Sequence, residues 1–385
     1  MTIATDPPLS GRSIATQPQW TPFWSPDESD PTLPPVTVIL DPHDNQAFTA
    51  SALAAHQPRA GNIAVHPTPV ATAPAYLAHD LLRAYGKHLP VPDSHHPTPQ
   101  WTSHVDRSWR NTAAWTITLG ITHLIICRAH RISARHIEHL LALREHARLN
   151  LTLLYSGPVP TPVERLLSAI NHERIETLEA ACHHMTHHRT PAPPSADYPW
   201  WTATPAFPGR SDDHWFRLPS QPHAPRPKPT QRPAQPTAQP DPPALVLPLP
   251  TNPHQDHTHP HIATVAARIH SRIAHPIHAA NVALRVLTGC TPEQIGNLHA
   301  NELDPYTGPP HDKRPAPHLP RWVLPLADAA LALAALRGYT HVVNPLWTPS
   351  WEHSDVEQAT EACRLLPVPP ISKTPSRRRR APSRR

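Results

Sequence analysis

The chain is 385 residues long, with 56 prolines, 32 histidines and only 10 glycines, and charged residues make up 16% of it. Length alone allows two or three domains. Proline at this density removes more backbone donors than helices and sheets tolerate, so part of the chain must be linker. No run of about 18 apolar residues is present, which excludes a membrane-spanning helix. The N-terminal MTIATDPPLS has no basic region followed by an apolar stretch, so no secretory signal is expected. Cys127, Cys182, Cys290 and Cys363 lie far apart without a CxxC pair, the pattern of a reduced, cytoplasmic protein rather than a disulfide scaffold.

The formal net charge is +5 with histidine neutral, and it is unevenly placed. The last fifteen residues, ISKTPSRRRRAPSRR, carry Lys373, Arg377, Arg378, Arg379, Arg380, Arg384 and Arg385 and no acid. Such a tail can neutralise several phosphates, a sequence-independent and salt-sensitive source of affinity for nucleic acid. It is equally what a solvated end of a GC-rich coding sequence would look like. The histidines add a pH term, since neutral imidazoles charge between about pH 7 and 5.

In chain order, residues 1–34 are polar and proline-rich and predict a disordered leader that carries Trp20 and Trp24. Residues 35–190 hold the first globular pattern. The run Val36-Thr37-Val38-Ile39-Leu40 predicts a strand, and Phe48 to Ala55 a helix. Asn62-Ile63-Ala64-Val65 predicts a second strand, followed by a helix from Ala75 that stops at Gly86. His123-Leu124-Ile125-Ile126-Cys127 is the strongest strand signal. The segment from Ala134 to Arg148 then places Ile137, Leu140, Leu141 and Arg144 on one helical stripe. Leu151 to Tyr155 predicts another strand and Val163 to Ile170 another helix. Apolar strands alternating with helices predict an α/β fold, a parallel sheet covered on both faces.

Residues 191–257 hold about one proline in every three or four positions and predict an extended linker. Residues 258–366 hold a second, mainly helical pattern. Ile262, Val265, Ala266, Ile269 and Ile273 share one helical face, and a second helix is predicted from Ile277 to Leu287. Residues 367–385 form the basic tail, predicted to be disordered.

The order of pieces over residues 35–180 resembles the P-loop ATPase domain of the AAA+ class, especially the helper ATPases of transposition and related secretion proteins. That family opens with a strand and a GxxxxGK[ST] loop leading into a helix. Here VTVIL is followed by Asp41-Pro42-His43-Asp44-Asn45-Gln46-Ala47-Phe48-Thr49. The strand that should end in two acids ends instead in Ile125-Ile126-Cys127-Arg128-Ala129-His130. The resemblance implies a P-loop-like sheet, but the groups that would touch phosphate are missing. A phosphate cradle needs glycines for close approach of backbone N–H groups and a lysine to reach the phosphates. Gln46 and Ala47 stand at the end of the loop, with Ala47 in the lysine position, and Asp41 and Asp44 would repel a triphosphate. Cys127 replaces the metal-holding acid and Arg128 the water-activating one. No ATP hydrolysis is expected, and no cofactor. A third, enzymatic reading keeps residual nucleotide binding at the altered loop.

In the second pattern, Leu287-Thr288-Gly289-Cys290-Thr291-Pro292-Glu293-Gln294-Ile295-Gly296-Asn297-Leu298-His299-Ala300-Asn301-Glu302-Leu303-Asp304 resembles the segment around the first catalytic arginine of tyrosine recombinases. Arg321 to Arg337 resembles that family's "VPLP" strand and following helix. The resemblance covers about 75 residues and again lacks its chemistry. Thr291 stands at the arginine position, no His-x-x-Arg box follows, and no tyrosine occurs after Tyr339. A covalent phosphotyrosine mechanism needs all of these. The same residues also fit a helix-turn-helix with Thr291 as N-cap, in which Gln294, Asn297, His299 and Asn301 would face base edges. They fit equally an ordinary three-helix bundle with Ile295 and Leu298 in its core.

Cys182, His183, His184, His187 and His188 have the spacing of metal ligands on a helix, and His254, His257, His259 and His261 form a second histidine group in the linker. In so histidine-rich a chain such clusters arise by chance, and no metal is expected. Ser156-Gly157 follows a strand but lacks the flanking glycines of a nucleophile elbow. Trp101, Trp109, Trp115, Trp200, Trp201 and Trp215 are expected to pack against core or linker. The expectation that follows is a non-catalytic protein that associates with DNA through Arg377, Arg378, Arg379 and Arg380, with groove contacts from residues 293–301. The alternative is a protein-interaction scaffold that binds no nucleic acid.

Overall fold

The apolar runs identified above become strands because each can bury both faces of a short parallel ladder. The computed structural model describes residues 32–69, 72–90, 99–187, 260–288, 322–338 and 353–363, together with Ile295 and Leu319. Residues 1–31 of the leader, residues 188–259 and the basic tail therefore lie outside the described residues. The strands are β1 (Val36–Asp41), β2 (Asn62–Val65), β3 (His123–Ile126), β4 (Asn150–Ser156) and β5 (His172–Ile175). They form one sheet in the order β2-β3-β4-β1-β5, with every pairing parallel. The α/β class expected from the sequence is what the chain adopts. Strand β5 reads HERI and escaped the sequence reading, because an edge strand with half-exposed side chains shows no apolar run.

Strand period two divides the side chains between two faces. Ile39, Ala64, Ile125, Cys127 and Leu154 pack against Phe48, Ala52, Ala181 and Met185. Those partners come from α1 (Gln46–Ala54) and α7 (Leu178–His187), which cover one face. The other face carries Val36, Val38, Ile63, Val65, Leu124, Ile126, Leu151, Leu153 and Tyr155. It is covered by α2 (Pro74–Ala84), α4 (Val105–Thr118), α5 (Ala134–Ala147) and α6 (Thr161–Ser168). A short α3 (Gln100–Ser103) leads into α4.

Helix α4 showed no apolar period because most of its buried positions are Ser, Asn, Thr and Ala rather than large apolar residues. Ser108, Trp109, Asn111, Thr112, Ala113, Ala114, Trp115 and Thr116 are all buried. Its hydroxyls are tolerated there because they bond back to the helix: Thr112 Oγ1 donates to the Ser108 carbonyl at 2.9 Å and Thr116 Oγ1 to the Thr112 carbonyl at 2.8 Å. Trp109 Nε1 donates to the Pro74 carbonyl at 3.1 Å, and Trp101, Trp109 and Trp115 are core residues as expected.

Outside α4 lies a third layer: α8 (Pro260–Arg272), α9 (Pro276–Thr288), α10 (Leu324–Leu336) and α11 (His353–Ala362). Helix α10 packs on α4 and on α9, and α11 packs on α9. The first two helices match the predicted segments. At Leu324 the chain departs from the strand that the recombinase resemblance implies. Pro325 stands in the first turn of a helix instead, where its missing N–H costs nothing. One apolar cluster runs from Val38 and Leu124 through Trp115 to Ile269, Ile277, Ala330 and Leu333. The two globular patterns therefore share a core. No described helix is long and apolar enough to cross a membrane.

Candidate functional site

Parallel α/β sheets take ligands in the crevice beyond the carboxyl ends of the strands, where neighbouring connections leave on opposite faces. Here β1 leads to α1 on one face while its neighbour β4 leads to α6 on the other. The crevice between them is the candidate site, and it gathers the positions singled out at residues 41–47 and 127–128.

Asp41 ends β1 and is buried; its carbonyl accepts from the Gly157 amide at 3.2 Å, tying the ends of β1 and β4 together. The turn that follows reaches Asp44 with φ of 48°, and Asn45 then caps α1, its Oδ1 accepting from the Ala47 amide at 3.0 Å. Gln46 is exposed and Ala47 half-buried in the first turn of that helix. Beyond β3, the Cys127 amide donates to the Val65 carbonyl at 2.8 Å, so the strand geometry persists one residue past its end. Arg128 then turns into the left-handed region with φ of 52°. This throws its guanidinium across the crevice, where Nη2 lies 3.9 Å from Asp44 Oδ2. A 3-10 turn, Ala129–Arg131, follows, and His130 Nδ1 accepts from the Ser156 amide at 3.2 Å.

The electrostatics follow from burial and from two neighbouring arginines. Burial holds the His66 imidazole down at about 4, assisted by the charges of Arg128 and Arg131. His130 is lowered by burial and the same two arginines, against an opposing pull from Asp44. Arg131 is itself lowered, first by burial and then by Arg128. Burial pushes the Cys127 thiol up to about 12, so it is a protonated core residue and no nucleophile or metal ligand. His66 and Arg131 escaped the sequence reading, which named His130 only as the end of the run after β3. Their signal was position alone: His66 follows β2 directly, and Arg131 closes the 3-10 turn after β3.

These residues do not fit a nucleoside triphosphate. The Ala47 N–H that a phosphate would use is occupied by Asn45, the turn carries Asp41 and Asp44, and no lysine stands at its end. Arg128 meets the Asp44 carboxylate across the crevice, and the Arg131 charge lies near both.

The cysteine–histidine pattern of α7 is not brought together at one point. Cys182 Sγ lies 3.0 Å from Ser51 Oγ, His183 is exposed, and His184 faces the sheet. There His184 Nε2 lies 3.0 Å from Thr152 Oγ1 and its Nδ1 3.6 Å from Glu173 Oε1. His123 Nε2 lies 2.8 Å from the same threonine hydroxyl, and Thr37 Oγ1 donates to Glu173 Oε1 at 2.7 Å. Among the described residues no group of three or more histidine, cysteine or acidic side chains is placed to hold a metal ion. Gln294, Asn297, His299, Asn301 and Arg377 to Arg380 lie outside the described residues, while Ile295 between them is buried. Set against known protein families, curated proteins and solved structures, the chain matches none.

Proposed function

We propose that this is a non-catalytic, DNA-associating protein built on a P-loop-like frame, in which the sheet unit is a scaffold and the arginine-rich tail supplies the affinity. The observation that carries the non-catalytic half is the state of the crevice. Its helix N-terminus is capped from within by Asn45, its free carboxylate is paired with Arg128, and its thiol is buried. The turn thus offers a phosphate neither a lysine nor a free Ala47 N–H. Support for DNA comes from charge: Lys373, Arg377 to Arg380, Arg384 and Arg385 can each displace a counterion from a duplex.

Two measurements on the full chain test the two halves separately. Calorimetry with magnesium and ATP should give no binding heat; micromolar binding overturns the first half. Binding to a labelled duplex should weaken steeply with salt, with a log–log slope of about −4 to −6 for five to seven phosphate contacts. Deleting residues 371–385 should abolish it. Binding that survives the deletion, or that ignores salt, removes the tail from the account.

A further inference from the structure

The contact between α4 and the third layer is not purely apolar. The His88 amide donates to the Ser271 carbonyl at 2.7 Å, and Trp115 Nε1 donates to the Ala274 carbonyl at 2.7 Å. Between these two bonds sits Lys87, fully buried. Its Nζ lies 2.7 Å from His270 Nδ1, 2.9 Å from the His270 carbonyl, and 3.3 Å from the centroid of the Trp115 ring. At 2.7 Å two nitrogens share one hydrogen, so the Lys87–His270 pair holds at most one positive charge comfortably.

A second ring repeats the arrangement. His275 is buried, stacks on His278 with centroids 3.9 Å apart, and packs on Trp101 at 5.6 Å. Arg337 Nη2 lies 3.3 Å from His275 Nε2, and a guanidinium only donates, so that nitrogen must keep its lone pair. The groups whose charge bears on these rings come from several packed elements: Lys87, after α2, acts on His270, while Arg107 of α4, His278 of α9 and Arg337 at the end of α10 act on His275. Arg83 of α2 and Arg272 of α8 act on His88 beside them.

We propose that this seam is a proton-operated latch, in which uncharged His270 and His275 let the C-terminal helices seat on α4 and their protonation releases the helices while the sheet stays folded. Burial, joined by the charge of Lys87, holds His270 well below the ordinary imidazole range. Burial, then His278, Arg337 and Arg107, does the same for His275. A group lowered in the seated state takes up a proton on release. Seating therefore weakens as pH falls below the unperturbed imidazole value of about 6.5.

Hydrogen exchange on the full chain reads this directly, because the His88 amide and the Trp115 indole N–H both bond across the seam. Corrected for intrinsic rates, protection at these two sites should fall at least tenfold between about pH 7.5 and pH 5, while the β3 amides keep theirs. Unchanged seam protection, or loss in step with β3, overturns the proposal. In a His270→Gln, His275→Gln variant, whose amide oxygens still accept from Lys87 and Arg337, the seam should stay closed at both pH values. If that variant does not seat at all, Lys87→Met provides the second test. It removes the amine beside His270 and should at least halve the pH response; a full response there also overturns the latch.

Discussion

Arg128 and Asp44 face each other 3.9 Å apart, and both hold backbone conformations that favour glycine, with φ of 52° and 48°. Neither sits in a regular element, so the crevice spends backbone strain on placing one ion pair, at roughly 1 kcal/mol per residue. The Arg128 charge also bears on its histidine neighbours. Arg128→Gly should relieve the local strain, lose an exposed pair of small value, and leave global stability within about 1 kcal/mol. The imidazoles of His66 and His130 should titrate at higher pH in the variant, because one of the charges lowering them is gone. Burial remains the larger cause, so both stay below about 6.5. A histidine NMR titration of the two proteins checks this; unmoved values would mean that Arg128 does not face the crevice.

Thr152 is the hinge of the polar row on the sheet face that α7 covers. One hydroxyl serves His123 and His184 together, at 2.8 and 3.0 Å, in a fully buried position on a central strand. Thr152→Val keeps the shape and removes both bonds. We expect a loss of about 1–3 kcal/mol in denaturant unfolding, against less than about 1 kcal/mol for Ser168→Ala, whose hydroxyl bond to the Glu164 carbonyl is exposed.

Gly61 is required twice over. Its φ is 74°, and an added Cβ would stand 2.7 Å from the Gly120 carbonyl oxygen and 2.9 Å from Thr122 Oγ1. Its own carbonyl accepts the amides of Thr122 and His123, setting the start of β3 beside β2. Gly61→Ala should cost on the order of 2–4 kcal/mol, summing backbone strain and the shift of a packed backbone. A wild-type melting temperature would contradict that placement.

Arg148 makes the opposite case. It ends α5 with φ of 52°, its amide donating to the Arg144 and Glu145 carbonyls, a position that glycine usually fills. Its side chain is exposed, and Nη2 donates to Thr32 Oγ1 at 3.0 Å. Arg148→Gly should be neutral or stabilising, by up to about 1 kcal/mol and at most a few degrees of melting temperature. A clear drop would assign real weight to the Thr32 contact.

The histidines set the pH dependence of the whole fold. Burial holds His66, His79, His139 and His146 at about 4, below the ordinary 6.5. Each is neutral in the folded chain and charged in the unfolded chain between those values. Folding stability should therefore be highest above about pH 6.5 and fall towards pH 4, by about 1.4 kcal/mol per pH unit for each proton taken up. Urea midpoints at several pH values check the slope. A flat profile would mean that these rings are solvated.

What the sequence determined by itself was the set of elements that carry their own periodic signal. β1 to β4, α2, α5, α8 and α9 were legible because alternating or helical apolar spacing is a property of local residue order. The turns that follow β1 and β3 were legible as well, since Asp41, Asp44, Cys127 and Arg128 stand where two predicted strands end. Helix α4 was not, because its buried face is built largely of Ser, Asn, Thr and Ala and so shows no run of large apolar residues, and β5 was not, because a half-exposed edge strand buries too little. Only the tertiary structure placed Arg128 opposite Asp44 and His184 against Thr152, since each pair spans a distance in sequence that no local pattern encodes. It also decided that Lys87 and Trp115 meet the backbone of residues 270–274 in a shared core. The reason is the same throughout: periodicity reports which side of an element is buried, whereas the partner on that side is chosen by the packing of the whole chain.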